Sequence, residues 1–269
     1  MHFARLVIDP PCSAERAMGV DAALLARAAE TNSIVIRLYQ WVRPTISLGC
    51  MQDAAILDMQ AMAANGIGWI HRPTGGRAVL HHHDITYAVA FPAACTDLGT
   101  TLQETYLRIA GSLAAGLRLA GIVPSLHDAA LNAQLVRREK KLPCFLAPSR
   151  SEIMTEGKKL FGSAQKRTRT AVLQHGSLPV TADFRALPRY CALSPQQRLL
   201  QQRELERTCS CARECVPDID TPHLIECLAR GFEHTFALTV QRSDWTPEEQ
   251  RVFEHGSPFS ATPHPAANP

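Results

Sequence analysis

Leu102, Tyr106, Ile109, Leu113 and Leu117 recur at steps of four, three, four and four, which places all five on one side of an α-helix and predicts a helix over 99–120. Met18, Ala22, Leu25 and Ala28 repeat the pattern behind Ser13, a good N-cap, so a helix should run from Ser13 to about residue 30. DAAILDMQAMAAN reads as a further helix, capped by Asp53 and closed at Asn65-Gly66. Past residue 195, SPQQRLLQQRELERT and TPHLIECLARGFEHTF are helical in pattern. Thr246-Pro-Glu-Glu249 is a capping box with proline at the first helical position, opening a short last helix.

Between these helices lie shorter, β-branched runs. Residues 3–8, Ser33–Trp41 and Pro44–Gly49 read as strands. A strand begins at Ile67–Ile70 and runs into Arg72-Pro-Thr-Gly-Gly-Arg77, and Ala78–Phe91 continues as one or two more. From Glu152 the pattern is a β-meander: SEIMT, a turn at Glu156-Gly157, KKLFGSAQ as a second strand, and VLQHGSLPV as a third. The expected fold class is α+β, with a mixed, largely antiparallel central sheet and surrounding helices. Residues 256–269 carry four prolines and are expected to be a disordered tail.

Composition narrows the class. Apolar residues make up 46% of the 269 and charged residues 20%, enough for a core, which excludes disordered, collagen-like and disulfide-stapled chains. Lys and Arg total 28 against 25 Asp and Glu, so the net charge of +3 supplies no drive toward nucleic acid or membrane. The N-terminus reads as a strand rather than an export signal, and no run approaches the roughly 18 apolar residues of a membrane span. Nine cysteines, an odd number, then read as reduced thiols of a cytoplasmic protein. No heptad or exposed apolar stripe calls for an assembly, so a monomer is expected. Only five of the 28 basic residues are lysines, and all five fall between residues 140 and 166.

Candidate chemistry concentrates in two places. In Arg72–Arg77 two adjacent glycines let a ligand approach the backbone, and the flanking arginines offer planar forks to a phosphate or carboxylate; a tight hairpin with exposed arginines reads equally well. In the second place, Cys144 and Lys159 are 15 residues apart across a turn and one hairpin arm, and a nearby ammonium would favour a nucleophilic thiolate. Gly162-Ser163-Ala164 follow, small residues whose amides could face an acyl oxygen, and His175 lies on the next strand. Cys144 could instead be one more buried thiol. His81-His82-His83 invite a metal, but alternation along a strand puts at most two on one face, so a polar strand end is expected and no metal. Cys209, Cys211, Cys215 and Cys227 do not have zinc-knuckle spacing; they read as free thiols, with a metal or iron–sulfur site as the alternative.

Together these motifs resemble one family. Arg72-Pro-Thr-Gly-Gly-Arg-Ala-Val-Leu-His81 with Asp84-Ile-Thr-Tyr87 is similar to the signature of the biotin/lipoate protein ligase superfamily, nearer its lipoate branch. Cys144-Phe-Leu-Ala-Pro-Ser149, Gly157-Lys-Lys-Leu-Phe-Gly-Ser-Ala-Gln-Lys-Arg167 and Leu173-Gln-His-Gly-Ser177 resemble the cysteine-dependent octanoyltransferases of lipoate assembly. The resemblance implies one catalytic domain over 1–255, with Cys144 as acyl-thioester nucleophile and Lys159 lowering its pKa. It further implies that Arg72, Thr74, Gly75, Gly76, Arg77, Ala78 and Val79 lie beside the acyl chain, with Gly162, Ser163, Ala164 and His175 opposite. It implies octanoyl-acyl carrier protein as donor, a lysine of a lipoyl-domain protein such as the glycine cleavage H protein as acceptor, and no cofactor. Arg150-Ser151 stand where the subgroup often has an aromatic pair.

Three other readings share parts of this pattern. An ATP-dependent lipoate–protein ligase would use the glycine loop for nucleotide and needs no nucleophilic thiol. An amidotransferase moving octanoyl groups from H protein to other lipoyl domains would use the same thioester chemistry. A non-catalytic acyl-protein binding module would not require Cys144 and Lys159.

Overall fold

Every residue of Ile34–Tyr39, the β2 strand, is buried. Its side chains alternate, so both faces of the sheet it belongs to must be covered. The computed structural model describes residues 3–127 and 152–255, and Cys144 and the 256–269 tail lie outside them. The central sheet has six strands in the order β10 (Gly162–Arg167), β11 (Ala171–Pro179), β6 (Asp84–Pro92), β2, β1 (Phe3–Ile8) and β12 (Thr239–Arg242). The first three pairings are antiparallel and the last two parallel. α1 (Ala14–Thr31) joins the parallel neighbours β1 and β2, a connection that two-residue turns cannot make.

One face packs on α3 (Leu102–Leu119) and α6 (Thr221–Thr235). There Ile34, Ile36, Leu38, Tyr87, Val89 and Phe91 meet Ile109, Leu113, Leu117, Leu224, Leu228 and Phe232. The other face packs on α1 and α7 (Pro247–His255), with Val35, Ala88, Ala90 and Leu173 against Val20, Leu24, Leu25 and Ala28. Smaller side chains there let α1 lie close to the sheet. α3 and α6 approach closely where both carry glycine: a Cβ on Gly231 would stand 2.4 Å from Gly116 N.

Two small sheets flank this core. β4 (Gly68–His71), β3 (Thr45–Leu48) and β5 (Val79–His81) form one; β7 (Ser125–His127), β8 (Glu152–Thr155) and β9 (Lys158–Lys159) form the other. Ser13 accepts from Arg16 N, Thr101 and Glu104 cap each other's amides, and Ser194 does the same with Gln197 at α4 (Pro195–Thr208). Thr246 and Glu249 exchange the same pair of bonds. Among the described residues no helix is long and apolar enough to cross a membrane.

Two expectations are corrected, and one left open between two alternatives is decided. The helix read from Asp53 is two pieces: Asp53 caps only a 3-10 turn, Ala54–Ile56, and Asp58 caps α2 (Met59–Ala64). Between them Leu57 is extended and bridges Cys191, while Asp58 N bonds Tyr190 O, so distant partners interrupt the helical pattern. KKLFGSAQ is likewise broken. The amides of consecutive Leu160 and Phe161 both reach Ile153 O, so two residues stand opposite one and the regular ladder ends there. β9 and β10 therefore belong to different sheets. The run 78–91 is two strands, split at His82-His83, where His83 is left-handed with φ 53°.

Candidate functional site

The glycine loop joins β4 to β5 and is closed from inside by Arg72. This buried guanidinium donates to Gly75 O at 2.9 and 3.2 Å, to Arg77 O at 2.7 Å, to Ser47 O at 2.9 Å and to Ser47 Oγ at 3.2 Å. Those bonds turn its planar fork onto the loop's own carbonyls and the neighbouring strand, so Arg72 is neither an outward anion clamp nor an exposed hairpin arginine. Gly76 takes φ 97°. Its carbonyl lies against Gly49, where a Cβ would come within 2.1 Å of Gly76 O, and Cys50 N bonds Thr74 O at 2.9 Å. Gly75 has open space where its Cβ would stand, so the loop is fixed from behind and accessible at Gly75.

Behind the loop runs a buried polar chain. Thr74 Oγ1 is 2.6 Å from His175 Nε2, and His175 Nδ1 is 2.8 Å from Asp21 Oδ2. Burial pushes the His175 imidazole below its usual pKa, and Arg72 and His81 add to the effect, while its bond to Asp21 pulls the other way. The neutral ring donates from Nδ1 to Asp21, which leaves Nε2 to accept from Thr74. Asp21 also accepts from Tyr39 OH at 3.1 Å and from Arg37 NH1 at 2.9 Å. Arg37 spans on to Asp9, whose other oxygen accepts from Trp245 Nε1 at 2.7 Å. A fully buried arginine in the middle of the sheet is tolerated because two carboxylates neutralise it.

Lys159 occupies the end of the second small sheet. Glu156 and Gly157 both have positive φ, 47° and 74°, the two-residue turn that tightens a hairpin without splaying its strands. The resulting register pairs Met154 with Lys159, which makes Glu152 its diagonal neighbour on the same face. The buried Lys159 Nζ donates to Glu152 Oε1 at 2.6 Å. The chain then enters β10, where Tyr87 OH donates to Ser163 Oγ at 2.8 Å and accepts from Gln174 Nε2 at 2.9 Å. Burial pushes the Tyr87 phenol up to about 12, which keeps it a donor. Ala164 pairs with His175 across the strands, and a Cβ on Gly176 would stand 2.4 Å from Gly162 O. β10 is therefore joined directly to the strand that anchors Thr74.

The cysteine-rich stretch lies between these two places. Cys209 and Cys211 pack with Phe184 and Leu205, and Val79 rests against that cluster. Lys159 bridges Cys209, and Ser210 N bonds Lys159 O at 2.9 Å. The thiols thus separate the end of the glycine loop from Lys159 as packing groups. Burial raises the pKa of both, that of Cys209 despite the nearby Lys159 ammonium, so they are poor nucleophiles. Cys215, in α5 (Ala212–Cys215), points its thiol toward Thr155 and Cys211 O, and Cys227 lies apart on α6 beside His223. Among the described residues the eight cysteines form no disulfide.

The structure thus joins Thr74 to His175 and β10 to β11, and places Val79 and Lys159 around one thiol cluster. Cys144 lies outside the described residues. Ala78 is buried in the small core under β3, among Ile46, Leu48 and Leu80, and acts there as packing. Sequence reasoning missed Glu152 and Asp21, and it placed Tyr87 in the family signature without a role beside Ser163. Hairpin register could have located Glu152; Asp21 is 154 positions from His175, with no local signal. A cavity of about 320 Å³ lined by Val42, Met59, Met62 and Trp69 touches none of the candidate residues.

Residues 13–233 match the family model of the lipoyl protein ligase A/B catalytic domain. Octanoyltransferase LipM of Kyrpidia tusciae is 34% identical over 263 residues, covering 94% of each chain. Octanoyltransferase LipM of Moorella thermoacetica is 33% identical over 226 residues, 82% of each chain. Among solved structures, the bi-partite lipoate protein ligase of Thermoplasma acidophilum superposes with a TM-score of 0.75 at 18% identity, over 95% of this chain and 93% of that one. A lipoate-protein ligase A bound with ATP superposes at 0.72 with 20% identity, over 95% of each chain. These two structures establish likeness of fold.

Proposed function

The chain belongs to the lipoyl protein ligase A/B catalytic domain family, and we propose that within it the acyl group travels through a thioester on Cys144. The protein is an acyltransferase that moves octanoyl groups in protein lipoylation, and its acceptor is a lipoyl-domain protein. The observation that carries this reading is the likeness, along nearly the whole chain, to octanoyltransferases.

The Cys144 thiolate attacks the carbonyl of octanoyl-acyl carrier protein. A C–S bond to Cys144 forms, the bond to the carrier thiol breaks, and the carrier leaves with a proton. The ε-amine of the acceptor lysine then attacks the new thioester. The amide C–N bond forms, the C–S bond to Cys144 breaks, and the proton lost by the amine passes to the Cys144 sulfur, regenerating the thiol. The donor is an activated thioester, so neither step consumes ATP. The glycine cleavage H protein is the acceptor of choice in this scheme.

Lys159 supports the scheme by its placement. An ammonium carries three N–H donors, so its bond to Glu152 is compatible with a second anion at Nζ. Gly75, open beside a loop fixed from behind, and Ser163, oriented by Tyr87, form two walls for the acyl chain. Arg72, Thr74 and His175 act in this reading by holding the first wall in place, and Gly76 by its left-handed turn.

The test is intact-mass spectrometry after incubation with octanoyl-acyl carrier protein in the absence of ATP. One added octanoyl group, absent from Cys144→Ala, is the expected result. An adduct of undiminished yield in Cys144→Ala, or transfer only when ATP is supplied, would sink the thioester route and favour a ligase. Transfer from octanoyl-H protein in place of the carrier protein would reassign the donor.

A further inference from the structure

The three histidines at 81–83 divide into two roles. His81 turns inward: Nε2 is 2.8 Å from Ser47 Oγ, Nδ1 is 2.8 Å from Asp84 Oδ2, and the ring stacks on Trp41 at 4.1 Å. β5 ends at His81, so His82 and His83 occupy a turn, where strand alternation does not apply. The left-handed His83 brings the two rings together, stacked 4.3 Å apart at 25°.

Asp183 faces them from a segment a hundred positions later, in the first turn of a 3-10 helix, Ala182–Tyr190. His83 Nδ1 lies 2.9 Å from Asp183 Oδ2. One nitrogen from each imidazole and one Asp183 oxygen all lie within 4.8 Å of one another. The two segments are tied by the backbone, Val180 N to His83 O at 2.9 Å, and the Asp183 carboxylate is held by the Thr181 hydroxyl.

We propose that His82, His83 and Asp183 bind one divalent transition-metal ion of the zinc class, with solvent completing its coordination. Bonds of about 2.0–2.2 Å to a common ion set neighbouring ligand atoms roughly 3–3.5 Å apart. The His83–Asp183 pair already has such spacing, and the half-exposed His82 closes the remainder by a side-chain rotation. Two imidazoles and one carboxylate suit zinc, nickel or copper; calcium and magnesium take oxygen ligands. Thr181 supplies the outer-shell bond that orients the carboxylate. A plain His83–Asp183 surface pair would account for that contact, but it leaves the stacked His82 ring unexplained. An ion here would clamp the turn after Val79 to the Ala182–Tyr190 segment, whose Phe184 packs with Cys209.

The experiment titrates metal-free, reduced, full-length protein with Zn2+ by calorimetry and with Co2+ by absorption spectroscopy. One ion per chain is expected, with Co2+ giving weak d–d bands and no thiolate charge-transfer band. His82→Ala, His83→Ala and Asp183→Asn should each weaken Zn2+ binding by at least about tenfold, and Thr181→Val by a smaller factor. Zn2+ should raise the melting temperature of the parent protein and leave the three ligand variants unmoved. These positions lie at the surface, so circular dichroism can verify that each variant is folded. Absence of binding, a thiolate band, or affinity surviving in the His82→Ala/Asp183→Asn double variant would each overturn the proposal.

Discussion

Thr74 and His175 are 101 positions apart in the chain and share a 2.6 Å hydrogen bond. Through it the glycine loop is fastened to the central sheet, because His175 lies on β11 and is itself held by Asp21 of α1. The loop's position is thus a property of the packed core.

Breaking that link should separate loop placement from folding. Thr74→Val keeps the shape and deletes the donor, leaving His175 Nε2 unsatisfied, at a cost of about 1–2 kcal/mol. Thr74→Ser should retain most of the stability. Urea unfolding measures both, and octanoyl adduct formation should fall in the Val variant while Ser stays near the parent rate.

Stability should also depend on pH through His175. Its folded pKa lies below the ordinary histidine value, so the unfolded chain takes up a proton that the native ring refuses. The contribution is fully present above about pH 6.5 and is lost as pH falls below it toward the folded pKa. His82 shifts in the same direction and must be replaced in the reference protein. Against a His82→Ala background, adding His175→Asn should flatten the decline in unfolding free energy as pH falls below about 6.5. An unchanged slope would show that His175 does not carry it.

The Lys159–Glu152 pair offers a double-variant test. Lys159→Met removes the ammonium beside a buried carboxylate and should cost about 3–5 kcal/mol, whereas Lys159→Met/Glu152→Gln should recover most of that loss. The double variant should still fail to form the octanoyl adduct. The pH midpoint of Cys144 alkylation should rise in it, since the ammonium that favours the thiolate is gone. A parental midpoint in a folded double variant would remove Lys159 from that role.

Two glycines should behave differently. Gly49→Ala drives a Cβ against the Gly76 carbonyl and should lower adduct formation beyond what its unfolding free energy accounts for. Gly231→Ala separates α3 from α6 and should cost about 1–3 kcal/mol while the folded fraction keeps its specific activity. Activity measured per folded molecule decides between the two effects.

Legibility in the sequence followed the range of the interaction. Ser13 and Thr246 announce their helices because capping bonds span three residues. Leu160-Phe161 and Leu57 escaped because each departs from its local period to satisfy a distant partner, Ile153 O in one case and Cys191 in the other. Motif residues suggest what the site does, yet nothing local specifies that the Arg72 donors end on Gly75, Arg77 and Ser47.

The amino-acid pattern alone determined the elements, a mixed sheet covered by helices, and the concentration of chemistry around Arg72–Arg77 and Lys159, because periodicity and capping are local. Which groups meet was decided by the tertiary fold. Thr74 finds His175, and His83 finds Asp183, only after strands far apart in the chain are paired. A buried polar atom must find a partner somewhere, and packing alone selects which one.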